Sequence, residues 1–143
     1  MNWKARIAPL AAALWWGSLT MVGAVVVPLL FVHLPSPAMA GQMAAKLFTA
    51  QSWVSIACGV LLLMSARTTT EGSPMNWADG ALAFVVGGLL LAMLAEYAIA
   101  PRIVARENLK VWHSVGVAMN VGQWVCAGVV LWKLAFPRSA APS

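Results

Sequence analysis

Charge is scarce in this chain. Only 9 % of its 143 residues are charged, and just four are acidic. The longest polar stretch, residues 67–79, is too short to bury a core of its own. That shortage excludes a separate soluble catalytic domain. Cysteine and histidine are equally thin, two of each. Cys58 and Cys126 have a spacing that matches no metal motif or redox pair, and both fall inside apolar runs, where they read as small buried side chains. No nucleophile is set beside a base, no glycine loop is built for phosphate, and no two carboxylates are paired. His113 and Ser114 are adjacent, so on a helix they point to different faces. An enzyme is not expected.

Apolar residues fill the place of all that is missing. They make up 62 % of the chain, with a mean hydropathy of +0.82, against about 45–50 % apolar in a soluble protein. They gather in four runs, residues 7–34, 47–66, 80–100 and 111–136, each long enough for the roughly 20-residue helix that crosses a bilayer. The sequence therefore predicts an all-α membrane protein, a four-transmembrane-helix up-down bundle forming a single integral membrane domain over 1–143.

Run one would make a helix of about 42 Å, longer than a ~30 Å hydrocarbon layer needs. Tilt or a kink should absorb the excess, with Pro9 in the first turn and Pro28 the natural kink site. Gly17 and Gly23 would let other helices approach. Lys4, Arg6, the apolar run and Ala38-Met39-Ala40 share the outline of a secretory signal. The run is far longer than the 7–15 residues of such a signal, so it is expected to be retained.

Leu34-Pro35-Ser36-Pro37 forces a reversal, with Ser36 as N-cap and Pro37 as first helical residue. The helix from Pro37 is expected to run along the interface and enter the membrane near Leu47. Residues 67–74 read as a solvated loop, with span three beginning around residues 76–80. Pro101 is expected to close span three, and residues 102–110 to form a short charged helix or helix end. Gly88, Ala92 and Glu96 recur every four residues as a stripe that should face another helix. On span four His113, Gly116, Asn120 and Gln123 share a face that should turn inward, because lipid cannot satisfy polar groups. No internal repeat is evident, which leaves inverted-repeat transport symmetry unsupported.

The net charge of +5 comes from nine basic residues scattered over the helix ends. That placement suits a lipid bilayer and not nucleic acid. Trp3, Trp53, Trp77, Trp112 and Trp132 fall near span ends, where indoles favour the interface. Lys4, Arg6, Arg67, Lys133 and Arg138 on one side outnumber Lys46, Arg102, Arg106 and Lys110 on the other by one, a small excess that favours cytoplasmic termini.

The polar residues that stand out collect at one membrane face. His33, Lys46, Glu96 and His113 share a depth, and Asn120 with Gln123 carries the polar track inward. The first reading is structural: Glu96 pairs with Arg102, Lys46 or His113, and Glu96, His113 and Asn120 clamp spans three and four. The second is proton or cation handling, since carboxylates and imidazoles relay protons in membranes. A copper or zinc site of His33, His113 and Glu96 is a third, with no spacing to enforce its geometry. Haem between His33 and His113 is a fourth. The eight methionines are scattered, with only Met39 and Met43 sharing a face, as core-filling residues do. No cofactor is expected, copper being the alternative, and function would come from a homo-oligomer or a membrane-protein partner.

Trp16-Gly17, Val27-Pro28, Lys46-Leu47-Phe48, Ala100-Pro101-Arg102 and Trp112-His113-Ser114 with Asn120 occur in an order and spacing that resembles the small four-span proteins with a transmembrane protein 205-like domain. The likeness covers about residues 14–134. A proline closing the third span and a His-x(6)-Asn in the fourth are shared features, whereas the 102–110 connector is shorter than in that group. The span pattern is also similar to that of copper-resistance D-type membrane proteins. The resemblance implies an integral protein of a bacterial inner membrane whose biochemical activity is not established.

Overall fold

The computed structural model describes residues 3–69 and 80–136. Six α-helical pieces follow one another: α1 Trp3–Thr20, α2 Val27–His33, α3 Pro37–Thr69, α4 Leu82–Leu94, α5 Ala100–Val104 and α6 Leu109–Ala135. Two π-helical segments, Met21–Val26 and Ala95–Ile99, join α1 to α2 and α4 to α5 without a break. Four spans result, Arg6–His33, Pro37–Arg67, Leu82–Val104 and Leu109–Ala135. Each is apolar enough and long enough to cross a membrane, which makes this an integral, multi-pass membrane protein. Every span packs on its two neighbours in sequence, and span four closes back on span one. The four-helix up-down bundle read from the sequence is the fold.

The two prolines explain the π segments. Proline lacks an N–H, and its ring collides with the carbonyl four residues back. In both spans the residue before the proline bonds five residues back instead: Val27 N–H to the Val22 carbonyl ahead of Pro28, and Ala100 N–H to the Ala95 carbonyl ahead of Pro101. The wider turn moves the obstructing carbonyl aside. Pro28 is therefore absorbed by a widened turn ahead of it. Pro101 does not close span three, which runs on to Val104. The chain then turns through Arg106 and Asn108, both with positive φ, before α6 starts.

Other expectations need correction at the helix ends. Pro9 lies well inside α1, which begins at Trp3. The helix from Pro37 is one continuous α-helix with no bend at Lys46-Leu47, so no separate segment lies along the interface. Its start is capped as read, the Met39 N–H donating to Ser36 Oγ at 3.2 Å. Because span two starts so early, Trp53 falls at its middle and is 55 % exposed there. It faces lipid deep in the span instead of marking an interface. Trp77, and the start of span three at residues 76–79, lie outside the described residues. So does most of the expected loop, though Arg67 belongs to α3.

The fully packed core lies in the half of the bundle carrying Trp3 and Ala135, here termed the Trp3 end. Ala8, Ala11, Ala12, Trp15, Leu19, Cys58, Leu62, Val85, Ala127 and Val130 form it. In span one no residue beyond Leu19 is buried. In the opposite half, the His33 end, the buried apolar residues are Ala40, Ala44, Ala92 and Ile99. Among the described residues methionine does not fill the core: Met21, Met39, Met43, Met64 and Met93 are exposed on the lipid face, and Met119 is half-buried.

Trp15 reaches across the bundle to the diagonal span. A Cβ built on Gly88 would lie 2.6 Å from Trp15 Cη2 and 3.2 Å from Cys126 Cβ. Gly88 and Ala92 thus form the inward stripe read from their spacing, both buried. Gly17 is different. It is exposed with nothing near its missing Cβ, while a Cβ built on Gly23 would lie 3.2 Å from the Asn120 amide nitrogen.

Candidate functional site

The polar residues of the spans fall into two levels. The deeper one is at the centre of the bundle. There Gln51 Nε2 donates to Ser18 Oγ at 3.0 Å and to Ser55 Oγ at 3.4 Å, and Ser18 Oγ donates to the Trp15 carbonyl at 3.0 Å. Gln51, Ser52, Ser55 and Gln123 are all buried. A second interhelical tie lies nearer the lipid face, where Trp124 Nε1 donates to Thr20 Oγ1 at 2.8 Å. Thr20 Oγ1 in turn donates to the Trp16 carbonyl at 2.8 Å. The Trp16 and Trp124 rings sit 5.7 Å apart between centroids.

These contacts, and not the expected clamp, join the helices. Gln51 ties span two to span one, and Trp124 ties span four to span one. Replacing Thr20 by valine leaves the Trp124 indole without an acceptor in hydrocarbon. Interhelical hydrogen bonds of this kind are worth about 0.6–2 kcal/mol. Thr20→Val should lower the melting temperature in detergent, and Thr20→Ser, which keeps the hydroxyl, should restore most of it.

The second level lies toward the His33 end. Glu96 is the second residue of the Ala95–Ile99 π segment and is half-buried. Among the described residues it makes no ion pair or side-chain hydrogen bond. Arg102 does not turn back to it: the guanidinium carbon lies 4.3 Å above the Trp112 ring centroid instead, where ring and cation attract. Lys46 and His113 are exposed. His33 is exposed too, its Nδ1 3.0 Å from the Leu29 carbonyl of its own helix. Asn120 is half-buried against Gly23 of the first π segment. The span-four stripe does turn inward, but by degrees, from exposed His113 through Gly116 and Asn120 to buried Gln123.

Two sequence-based groupings fail on this geometry. Glu96, His113 and Asn120 form no hydrogen-bonded clamp among the described residues. Nor do His33, His113 and Glu96 gather into a metal-ligand group, since the described residues hold no cluster of three His, Cys, Asp or Glu side chains suited to a metal ion. The physical reason is rotation. Spacing along a helix sets depth, whereas the packing of α5 on α6 aims Arg102 at Trp112 and leaves His113 facing outward. Cys58 is buried and Cys126 half-buried, both as free thiols.

Of the central layer, Gln123 is legible in the sequence as part of the inward stripe of span four, whereas Gln51, Ser52 and Ser55 were missed, though part of their signal was there. Gln51, Ser55 and Gly59 repeat every four residues on span two, the same kind of stripe as Gly88, Ala92 and Glu96. Trp15 carried no such signal, because nothing in its neighbourhood distinguishes it from Trp16.

No curated protein and no solved structure matches the chain. The profile of one family, described as a domain of unknown function (DUF4149), matches residues 10–111. That match spans α1 through the connector to α6, both π segments and the central polar layer of spans one and two included, and by it the chain belongs to the DUF4149 family.

Proposed function

We propose that the chain is a non-enzymatic, partner-binding bundle of a bacterial inner membrane, and that its partner engages the His33 end at Glu96. Glu96 carries this reading. A carboxylate inside a span is costly unless it is paired, and this one has no partner within the described residues. The group that completes it then comes from outside the chain, as a basic or hydrogen-bond-donating side chain of a second copy or of another membrane protein. The resemblance to the transmembrane protein 205-like group, whose members are integral membrane proteins, supports the membrane placement. The termini are assigned to the cytoplasm on the five-to-four basic excess, and a reporter fused after Phe136 tests this.

Glu96→Gln discriminates between the roles. A clamp residue would lower bundle stability on substitution, whereas a docking residue leaves it nearly unchanged. The expected result is an unaltered melting temperature in detergent with weakened association. Energy transfer between labelled copies in bilayers measures self-association, and in-membrane crosslinking at Glu96 measures other partners.

The unpaired carboxylate also favours a second reading, a bound cation. With the histidines exposed, the carboxylate oxygens of Glu96 suit a proton or a hard cation better than copper. Elemental analysis of purified wild type and Glu96→Gln, expressed with magnesium, calcium, copper and zinc supplied, tests it for a metal cation, and proton uptake by vesicles carrying each form tests it for a proton. Equal association of both forms and no cation in either would overturn both readings.

A further inference from the structure

Two buried polar atoms have no hydrogen-bond partner among the described residues: Trp15 Nε1, a donor, and Gln123 Oε1, an acceptor. Trp15 is fully buried and Gln123 is 4 % exposed. They belong to one place in the bundle. The end of the Trp15 ring lies against Gly88, which also faces Cys126, so these three share a level. Gln123 precedes Cys126 by three residues on the buried stripe of α6 that continues through Ala127 and Val130. It therefore sits about 4.5 Å along the axis toward the His33 end. Beside them runs the chain Ser55–Gln51–Ser18–Trp15 carbonyl.

A lone donor or acceptor left buried costs about 1–3 kcal/mol, and hydrocarbon around the bundle offers neither atom relief. One small guest that accepts from an indole N–H and donates to an amide oxygen resolves both. We infer that the centre of the bundle is a binding site for such a guest, a water molecule or an equally small amine, bridging Trp15 Nε1 and Gln123 Oε1. Polarity around the site is one-sided. Toward the His33 end lie Asn120 and Glu96, both half-buried. Toward the Trp3 end the buried residues are Ala8, Ala11, Ala12, Leu62, Val85 and Val130, all apolar. Trp15, wedged on Gly88, is the seal between the two halves. The inference stands on Trp15 and Gln123 and does not depend on the role proposed for Glu96.

The test is nuclear magnetic resonance of protein carrying 15N-tryptophan, reconstituted in lipid nanodiscs. Trp15→Phe assigns the Trp15 indole signal. The expected spectrum shows magnetisation passing from the water resonance to that indole N–H despite its burial, with the transfer lost and the signal displaced in Gln123→Leu. Gln123→Met, closer in shape, serves if the leucine variant does not fold. Transfer instead from the methyl group of added 13C-methylamine, whose neutral form keeps the lone pair that the indole N–H needs, identifies an amine guest. An indole N–H that receives magnetisation from neither, and whose position is indifferent to Gln123 substitution, overturns the proposal.

Discussion

Gly88→Ala is expected to destabilise the detergent-solubilised bundle by about 1–3 kcal/mol, the cost of overpacking a tight core. Two effects oppose each other at this position. Alanine is the better helix former by about 1 kcal/mol. Its Cβ, however, would arrive 2.6 Å from Cη2 and 2.7 Å from Cζ2 of Trp15, and 3.2 Å from Cys126 Cβ. A rigid ring cannot step aside as a flexible chain end does, and Trp15 is enclosed by spans one, three and four. Overpacking therefore wins. Gly122 shows the contrast: its Cβ would meet Leu91 Cδ1 at 2.9 Å, but that methyl is the movable end of a side chain, so Gly122→Ala should be close to neutral. Thermal melting of the two variants checks the ranking. In a Trp15→Phe background Gly88→Ala should lose most of its effect, because the shorter ring vacates the contact. A Gly88→Ala protein that melts like wild type would mean the ring yields and the wedge is not tight.

Trp15→Ala should have the largest effect of any single substitution, a loss of about 3–5 kcal/mol. In lipid, apolar area by itself does not drive helices together, and packing contacts carry much of their association. Trp15 is the largest fully buried side chain, and it bridges diagonal spans that otherwise meet little. Truncation would leave a void where the spans converge, with Gly88 opposite and no side chain there to collapse into it. Trp15→Phe separates two contributions. It removes the indole N–H together with the ring edge over Gly88, so its cost covers the polar bridge and that contact, and the further loss to alanine measures the packing of the remaining ring. Both are read from melting in the same detergent.

The spans were legible because a bilayer demands length, and four runs of sufficient length leave little choice of architecture. The turn at residues 34–37 was legible for a similar reason, two prolines around a capping serine. Pro101 was misread as a stop. A soluble helix can end at a proline and hand its carbonyls to water, but in lipid the backbone has to stay hydrogen-bonded. The chain widens a turn and continues. The face of the polar cluster was also readable, and its pairings were not. Glu96, Lys46 and His113 do share one end, yet Arg102 chose an aromatic ring over a carboxylate, a matter of helix rotation that spacing does not encode. The methionines misled because a flexible apolar side chain suits lipid as well as it suits a core.

The Ala95–Ile99 π segment has a consequence for how Glu96 can change in evolution. A π turn is what an α-helix becomes when it accommodates one surplus residue without unwinding its neighbours. Deleting a single residue there would tighten the segment to α pitch, now kinked at the proline, and rotate everything beyond it by about 100°, since 3.6 residues complete a turn. Pro101, Arg102 and Ile103 would swing off the α6 face, and the Arg102–Trp112 stack would be lost while every side chain kept its chemistry. The aim of this end of the protein is thus held by a count of residues, and a one-codon deletion could abolish it where conservative substitutions would not.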